Sequence, residues 1–312
     1  MKIFIELPTW LGDSVMATPA IENLVNFFSD TEITLIGSIV SIEALKNHPK
    51  VNKTHILEKN YFSLYKVIKD AGEFDVFFSF RSSFRSKFIK FYISAKSKYQ
   101  FDKNKYKCNK NHQVEKYNNF INDSLKINTI ASRLILYSDK QGKGRKNRLL
   151  GINPGASYGS AKRWYPKEFA SVAADLSGQY DIIIFGGPGE KDIAADIEKY
   201  LIEHGVENYQ NLADKTNIKE LISQISNLDL LITGDSGPMH LAASFQIPTV
   251  AIFGPTNDKE TSQWMNTQSI IVKKNLECQP CMSRSCPLEH HNCMKHVKAE
   301  DVLHAAKGLV NL

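Results

Sequence analysis

Leu231-Ile232-Thr233-Gly234-Asp235-Ser236-Gly237-Pro238-Met239-His240-Leu241-Ala242-Ala243 is a strand that runs into a helix through Gly, Ser and Gly. Backbone amides at such a helix start form an anion site. Ser236, Gly237 and the amides after Pro238 suit a diphosphate, and His240, one turn in, points the same way. The alternative makes Asp235-Ser236 a helix cap and His240 a satisfied surface histidine. Two glycines, an Asp, a Pro and a His converging on one helix end favour the anion site.

The same strand-loop-helix grammar extends outward in both directions. Downstream, Pro248–Phe253 reads as a strand and Ala299–Leu309 as a closing helix. Upstream, Leu149–Asn153 and Tyr180–Phe185 read as strands, and Pro166–Leu176, Asp192–His204 and Ile218–Ser226 as helices. The N-terminal part repeats the pattern. Lys2–Leu7, Glu32–Gly37, Lys53–Leu57 and Phe74–Ser79 read as strands, with helices over 14–28, Ser41–Asn47 and Tyr61–Gly72. Strands alternating with helices predict parallel sheets covered on both faces.

At 312 residues the chain exceeds what one core usually organises, so two domains are expected. The polar, glycine-containing stretch Lys140–Arg148 has no apolar periodicity and reads as the linker. This places one doubly wound, Rossmann-like α/β domain at 1–145 and another at 146–312. Facing one another, they would enclose a cleft, with the chemistry at the carboxyl ends of the strands.

Residues 1–148 carry 25 Lys/Arg against 14 Asp/Glu, a net +11, which leaves −5 for the remainder of a chain whose total is +6. The N-terminal half is therefore suited to an anionic partner, and the C-terminal half needs no broad positive field. Hydrophobic residues at 42% and charged residues at 23% describe an ordinary globular protein and exclude a disordered one. The apolar run Ile3-Phe4-Ile5 is too short for a signal-peptide core or a membrane span, so a cytoplasmic protein is expected. Five cysteines, four of them within 278–293, do not form the framework of a secreted domain.

Three further strand-end loops carry polar side chains. In Leu7–Ser14, Gly12 allows a tight turn before Asp13, which sits near a helix N-terminus. There it reads either as a cap or as an ionised carboxylate able to take a proton from a hydroxyl. In Asn153–Pro166, small residues permit close approach of a ligand; Lys162 is either a phosphate contact or a solvated lysine, and Trp164 reads as core. In Phe185–Glu190, Glu190 is placed to accept hydrogen bonds from a ribose or an adenine amine. That glycine spacing is not the dinucleotide fingerprint.

Two other segments stand out. Cys278, Cys281, Cys286 and Cys293, with His290, His291 and His296 nearby, suit either zinc at a non-standard spacing or quiet thiols that shape a loop. Residues 81–110 hold ten Lys/Arg and one acid, Asp102, interleaved with Phe84, Phe88, Phe91 and Tyr92. Such a segment fits a headgroup surface or a charged oligosaccharide, through Arg81, Arg85, Lys87 and Lys90, or else is a solvated face over a core stripe.

Taken together, Trp10-Leu11-Gly12-Asp13 with Ala17-Thr18-Pro19-Ala20, the Asn153–Pro166 loop and Asp235–Ala243 resemble the ADP-heptose:lipopolysaccharide heptosyltransferases over nearly the whole chain. The cysteine stretch, ending Cys293-Met294, looks like the heptosyltransferase II branch. The resemblance implies a GT-B fold, an N-terminal acceptor domain, a C-terminal ADP-heptose domain and inversion at the anomeric carbon. It makes Asp13 the catalytic base, Lys162 the phosphate contact, and Ser236, Gly237 and His240 the diphosphate loop, with Glu190 and Asp235 as further donor contacts. The acceptor would be heptosyl-Kdo-lipid A at the cytoplasmic face of the inner membrane. The chain has no Asp-x-Asp pair, so neither a metal nor another cofactor is expected, and no nucleic-acid partner. Two other readings compete: a nucleotide-sugar epimerase of similar architecture, which gains nothing from the basic segment, and a nucleic-acid or membrane-surface binding protein, which leaves Asp235–Ala243 unexplained.

Overall fold

A computed structural model describes residues 1–57, 59–107, 111–138 and 147–310. The chain divides into two compact units, 1–138 and 139–312.

The N-terminal unit is built on five parallel strands, β1 (Lys2–Glu6), β2 (Glu32–Gly37), β3 (Val51–Ile56), β4 (Glu73–Ser79) and β5 (Ser94–Gln100), in the order β3-β2-β1-β4-β5. The central strand is apolar because both of its faces are covered: Ile3, Phe4 and Ile5 are fully buried. Its helices are α1 (Leu11–Met16), α2 (Thr18–Phe27), α3 (Ile39–Leu45), α4 (Tyr61–Asp70), α5 (Phe84–Tyr92), α6 (Lys103–Lys107) and α7 (Gln113–Leu125). The chain winds outward from β1 through β2 to β3, then returns to lay β4 and β5 on the other side. The winding thus reverses between β1 and β4.

The helix expected over 14–28 is in fact two, joined at Ala17. Pro19 has no N–H to donate to the carbonyl of Val15, and that oxygen accepts the Thr18 hydroxyl instead, at 2.7 Å. The helix expected from Ser41 starts earlier, at Ile39, because Ser38 is its N-cap and accepts the Ser41 amide at 3.3 Å.

The C-terminal unit holds six parallel strands, β6 (Arg148–Asn153), β7 (Tyr180–Ile184), β8 (Tyr209–Asn211), β9 (Leu230–Gly234), β10 (Thr249–Ile252) and β11 (Ser269–Val272), ordered β11-β10-β9-β6-β7-β8. Its winding reverses between β6 and β9. The helices are α8 (Pro166–Leu176), α9 (Lys191–Glu203), α10 (Ile218–Ser226), α11 (Gly237–Ser244), α12 (Asp258–Thr261), α13 (Asn292–Lys295) and α14 (Ala299–Val310). One core joins Leu150, Ile152, Phe169, Ile184, Ile232, Val250 and the apolar face of α14. Trp164 belongs to it, 2% exposed, with its indole N–H on the Val297 carbonyl at 3.0 Å. The expected linker falls mainly on 139–146, outside the described residues; Arg148 opens β6.

Candidate functional site

In the C-terminal unit, polar side chains gather where the winding reverses. β6 and β9 run side by side with Asn153 opposite Thr233. The Asn153 amide donates to Thr233 Oγ1 at 3.1 Å and to Ser236 Oγ at 3.0 Å, and the two hydroxyls meet at 3.1 Å. Ser236 occupies the N-cap position of α11, yet its side chain makes no capping bond. Its hydroxyl is tied to the sheet; Pro238 has no N–H and the Met239 amide donates to the Ser236 carbonyl at 3.2 Å, so the amides that suit an anion at this helix start are those of Ser236 and Gly237.

Asp235 is not a helix cap either. Its Oδ2 receives the Lys162 ammonium at 2.6 Å and the Thr256 hydroxyl at 2.6 Å, and Lys162 also donates to the Asp235 carbonyl at 3.2 Å. Both partners are largely buried, with side chains 12% and 6% exposed. The ammonium also lies 4.7 Å from the centre of the Tyr158 ring. Lys162 is thus no solvated lysine; it is anchored at the turn that carries Ser236 and Gly237. His240 is 3% exposed, which overturns the surface-histidine alternative.

The loop after β7 joins the same end of the sheet. Gly187 N donates to Glu190 Oε2 at 2.7 Å, and a Cβ on Gly155 would fall 2.0 Å from the Glu190 carboxyl carbon. The missing side chain of Gly155 is therefore the seat of that carboxylate. Glu190, Lys162, Asp235, Ser236, Gly237 and His240 all follow from the carboxyl ends of the neighbouring strands β7, β6 and β9, and Thr256 follows β10.

The cysteine-rich segment braces this arrangement. The Tyr158 hydroxyl donates to the Met282 carbonyl at 2.7 Å and Ala161 N to the Arg284 carbonyl at 3.0 Å. His291 Nε2 lies 2.9 Å from the Ala161 carbonyl and donates to it, leaving Nδ1, 3.1 Å away, to accept the Tyr165 hydroxyl. Burial and three neighbouring sulfurs push the Cys293 thiol up to about 11. Among the described residues no cluster of three or more His, Cys, Asp or Glu side chains is arranged to hold a metal ion.

The N-terminal unit also concentrates polar groups at its winding reversal. Glu6, at the end of β1, stands opposite Ser79 of β4 and is fully buried. Ser79 Oγ donates to it at 2.6 Å and Ser86 Oγ at 2.9 Å, while Arg81 Nη1 lies 3.5 Å away. Burial outweighs these partners and raises the Glu6 carboxyl above its ordinary range. Asp13 comes just after the loop that leaves β1. It is half-buried in the first turn of α1, whose N-cap is Trp10, so the capping alternative fails. The loop is pinned through its backbone: Ser14 Oγ donates to the Pro8 carbonyl at 3.1 Å and Ser38 Oγ to the Thr9 carbonyl at 2.8 Å. Tyr117 of α7 is buried nearby. Burial first, and then the negative charge of Asp13, push its hydroxyl well up.

The basic segment does not present one uniform surface. Arg81 turns inward to Glu6. Arg85 donates to the Lys59 carbonyl at 2.8 Å and lies over the Tyr61 ring at 5.2 Å, whereas Lys87 is exposed on α5.

Two α/β units with polar side chains at each strand reversal fit many chemistries, and comparison with known proteins decides among them. Residues 62–292 match the model of glycosyltransferase family 9 (heptosyltransferase). The chain belongs to this family. The lipooligosaccharide heptosyltransferase 2 of Campylobacter jejuni subsp. jejuni serotype O:2 is 45% identical over 320 residues, covering 99% of this chain and 98% of the relative. The Escherichia coli ADP-heptose lipopolysaccharide heptosyltransferase II shares the fold at a TM-score of 0.83 and 20% identity, covering 100% and 99% of the two chains. An E. coli heptosyltransferase solved with ADP superposes at a TM-score of 0.76 and 11% identity, covering 99% and 100%. The fold is GT-B and the protein is a glycosyltransferase, which removes the epimerase and passive-binder readings. Sequence reading missed Glu6, Asn153, Tyr117 and Thr256 as parts of the two sites. Glu6 looked like the end of a strand, Asn153 like the start of a small-residue loop, and α7 and the β10 loop were not singled out.

Proposed function

We propose that this protein is an inverting heptosyltransferase of the second step: it moves L-glycero-D-manno-heptose from ADP-heptose to heptosyl-Kdo-lipid A in the lipopolysaccharide inner core. The observation that carries the reading is full-length 45% identity to a heptosyltransferase 2, joined to an anchored ammonium beside a helix start. In this reading the C-terminal unit binds the donor. Lys162 and the α11 amides around Ser236 and Gly237 take the diphosphate, and Asp235, itself held by the Thr256 hydroxyl, keeps the ammonium in place. His240 and Glu190 make the remaining donor contacts.

Asp13 of the N-terminal unit is the base. As the acceptor oxygen bonds to the anomeric carbon, Asp13 takes the hydroxyl proton, the bond from that carbon to the diphosphate breaks, and ADP leaves from the opposite face. The leaving group gains negative charge, which Lys162 and the helix amides stabilise. Arg81, Arg85 and Lys87 contact the anionic acceptor. The enzyme works at the cytoplasmic face of the inner membrane as a peripheral protein; no helix among the described residues is long and apolar enough to cross a membrane.

The test is to incubate the protein with ADP-heptose and lipid acceptors bearing zero, one or two heptoses, then weigh the products. A mass gain of one heptose on the mono-heptosyl acceptor alone is expected. Gain on the heptose-free acceptor instead would move the enzyme to the first step.

A further inference from the structure

The outer face of α4 and α5 is built unlike the rest of the N-terminal unit. On α4, Phe62, Tyr65, Lys66 and Lys69 follow i, i+3, i+4, i+7 spacing and form one exposed face opposite the buried Leu64 and Ile68. On α5, Phe84, Lys87 and Phe91 do the same opposite Ser86 and Ile89. Aromatic contacts fuse the helices: Tyr61 meets Phe88 at 5.0 Å, Tyr65 meets Tyr92 at 5.1 Å, and Phe91 joins Tyr92 at 4.9 Å. Beyond this seam three rings stay in solvent, with Phe62 66%, Phe84 78% and Phe91 75% exposed. The two helices carry five Lys/Arg against one carboxylate, Asp70. Three cations, counting Arg85, lie over the rings of this face: Lys66 over Phe62 at 4.7 Å, Lys69 over Tyr65 at 5.7 Å, and Arg85 over Tyr61 at 5.2 Å.

We propose that the α4–α5 pair is a docking surface for an anionic bilayer, with Phe62, Phe84 and Phe91 entering the headgroup boundary and the lysines beside them meeting lipid phosphates. The proposal rests on the lipid-linked acceptor proposed above and adds where the protein holds the membrane. A charged oligosaccharide explains the cations but gains nothing from three solvent-exposed phenylalanines. A lipid surface uses both, because a ring that enters the interface brings its overlying ammonium to phosphate depth.

The full-length protein is sedimented with phosphatidylcholine vesicles with and without phosphatidylglycerol, in the absence of acceptor. Binding to the phosphatidylglycerol vesicles alone is expected. Phe62→Ser/Phe84→Ser/Phe91→Ser should lower that partition about tenfold or more, and Lys66→Gln/Lys69→Gln should lower it roughly thirtyfold. Both variants should transfer heptose to a deacylated, water-soluble acceptor at the wild-type rate, which also reports that they fold. If one variant folds poorly, Phe84→Ser alone and a blue shift of Phe91→Trp emission on vesicles read the same surface. Equal binding to both vesicle types, no binding by the wild type, or wild-type partition of the triple phenylalanine variant would overturn the proposal. Absence of transfer by the wild type to any acceptor, with vesicle binding intact, would count against the proposed reaction and leave the docking surface standing.

Discussion

The two winding reversals, β1/β4 and β6/β9, occupy equivalent places in similar sheets but are wired differently. At β6/β9 side chains hold side chains: Asn153 to Thr233 and Ser236, Lys162 and Thr256 to Asp235. At β1/β4 the side-chain network is inward, around buried Glu6, and the loop leading into α1, the helix that carries Asp13, is fixed by hydroxyls bonded to its backbone. The first design suits a seat that must not change shape when a charged ligand arrives. The second fixes, through the backbone, where the Asp13 carboxylate stands.

Several substitutions break or sharpen this contrast. The largest effect is expected from Asp13→Ala, which should lower kcat by roughly 10²–10⁴-fold, the usual worth of a general base. ADP-heptose affinity measured by calorimetry should stay within about a few-fold, because the proposed reading gives donor binding to the other unit. A matching loss of donor affinity would erase the distinction between seat and reactive group. Lys162→Ala comes next. It leaves the Asp235 carboxylate buried without its cation, so urea denaturation should show a loss of about 3 kcal/mol together with weaker ADP binding. Unchanged stability would mean that Lys162 is not part of the seat.

Gly155→Ala is a finer probe. The new Cβ must displace the Glu190 carboxylate and break its bond to the Gly187 amide, a charge-assisted bond worth about 1.5–3 kcal/mol. Donor affinity should fall by at least about tenfold if Glu190 binds the nucleoside. The smallest effect concerns Glu6. Its raised carboxyl means that the folded unit binds more protons than the unfolded chain, so stability is fully present below the ordinary glutamate value of 4.5 and declines as pH rises through the folded value. Glu6→Gln should remove this decline, so the stability difference from wild type, measured by urea denaturation at pH 5 and pH 8, should change between the two. A pH-independent difference would show that Glu6 is held as an ordinary anion by Arg81.

Much of the fold was legible because periodicity and punctuation agreed. Pro166–Leu176 and Ile218–Ser226 were read to the residue: a proline opens one, and Asn217 caps the other in a box with Glu220. β8 and β11 escaped because edge strands are short and half-exposed, without the apolar run of Leu230–Gly234. At the site, sequence identified the turns and their ionisable residues. It did not reveal that Lys162 and Asp235, 73 positions apart, form an ion pair, or that Arg81 turns back to Glu6. Residue type announces charge, whereas the partner is chosen by strand order.

The bonds from Tyr158 to Met282 and from Ala161 to Arg284 join segments more than a hundred positions apart, and a Cβ on Gly159 would fall 2.3 Å from the Arg284 carbonyl oxygen. The lysine-bearing loop and the cysteine stretch are thus two halves of one mould. Anyone exchanging parts between members of the family will have to transplant them together, since either half moved alone would meet a counterpart shaped for someone else.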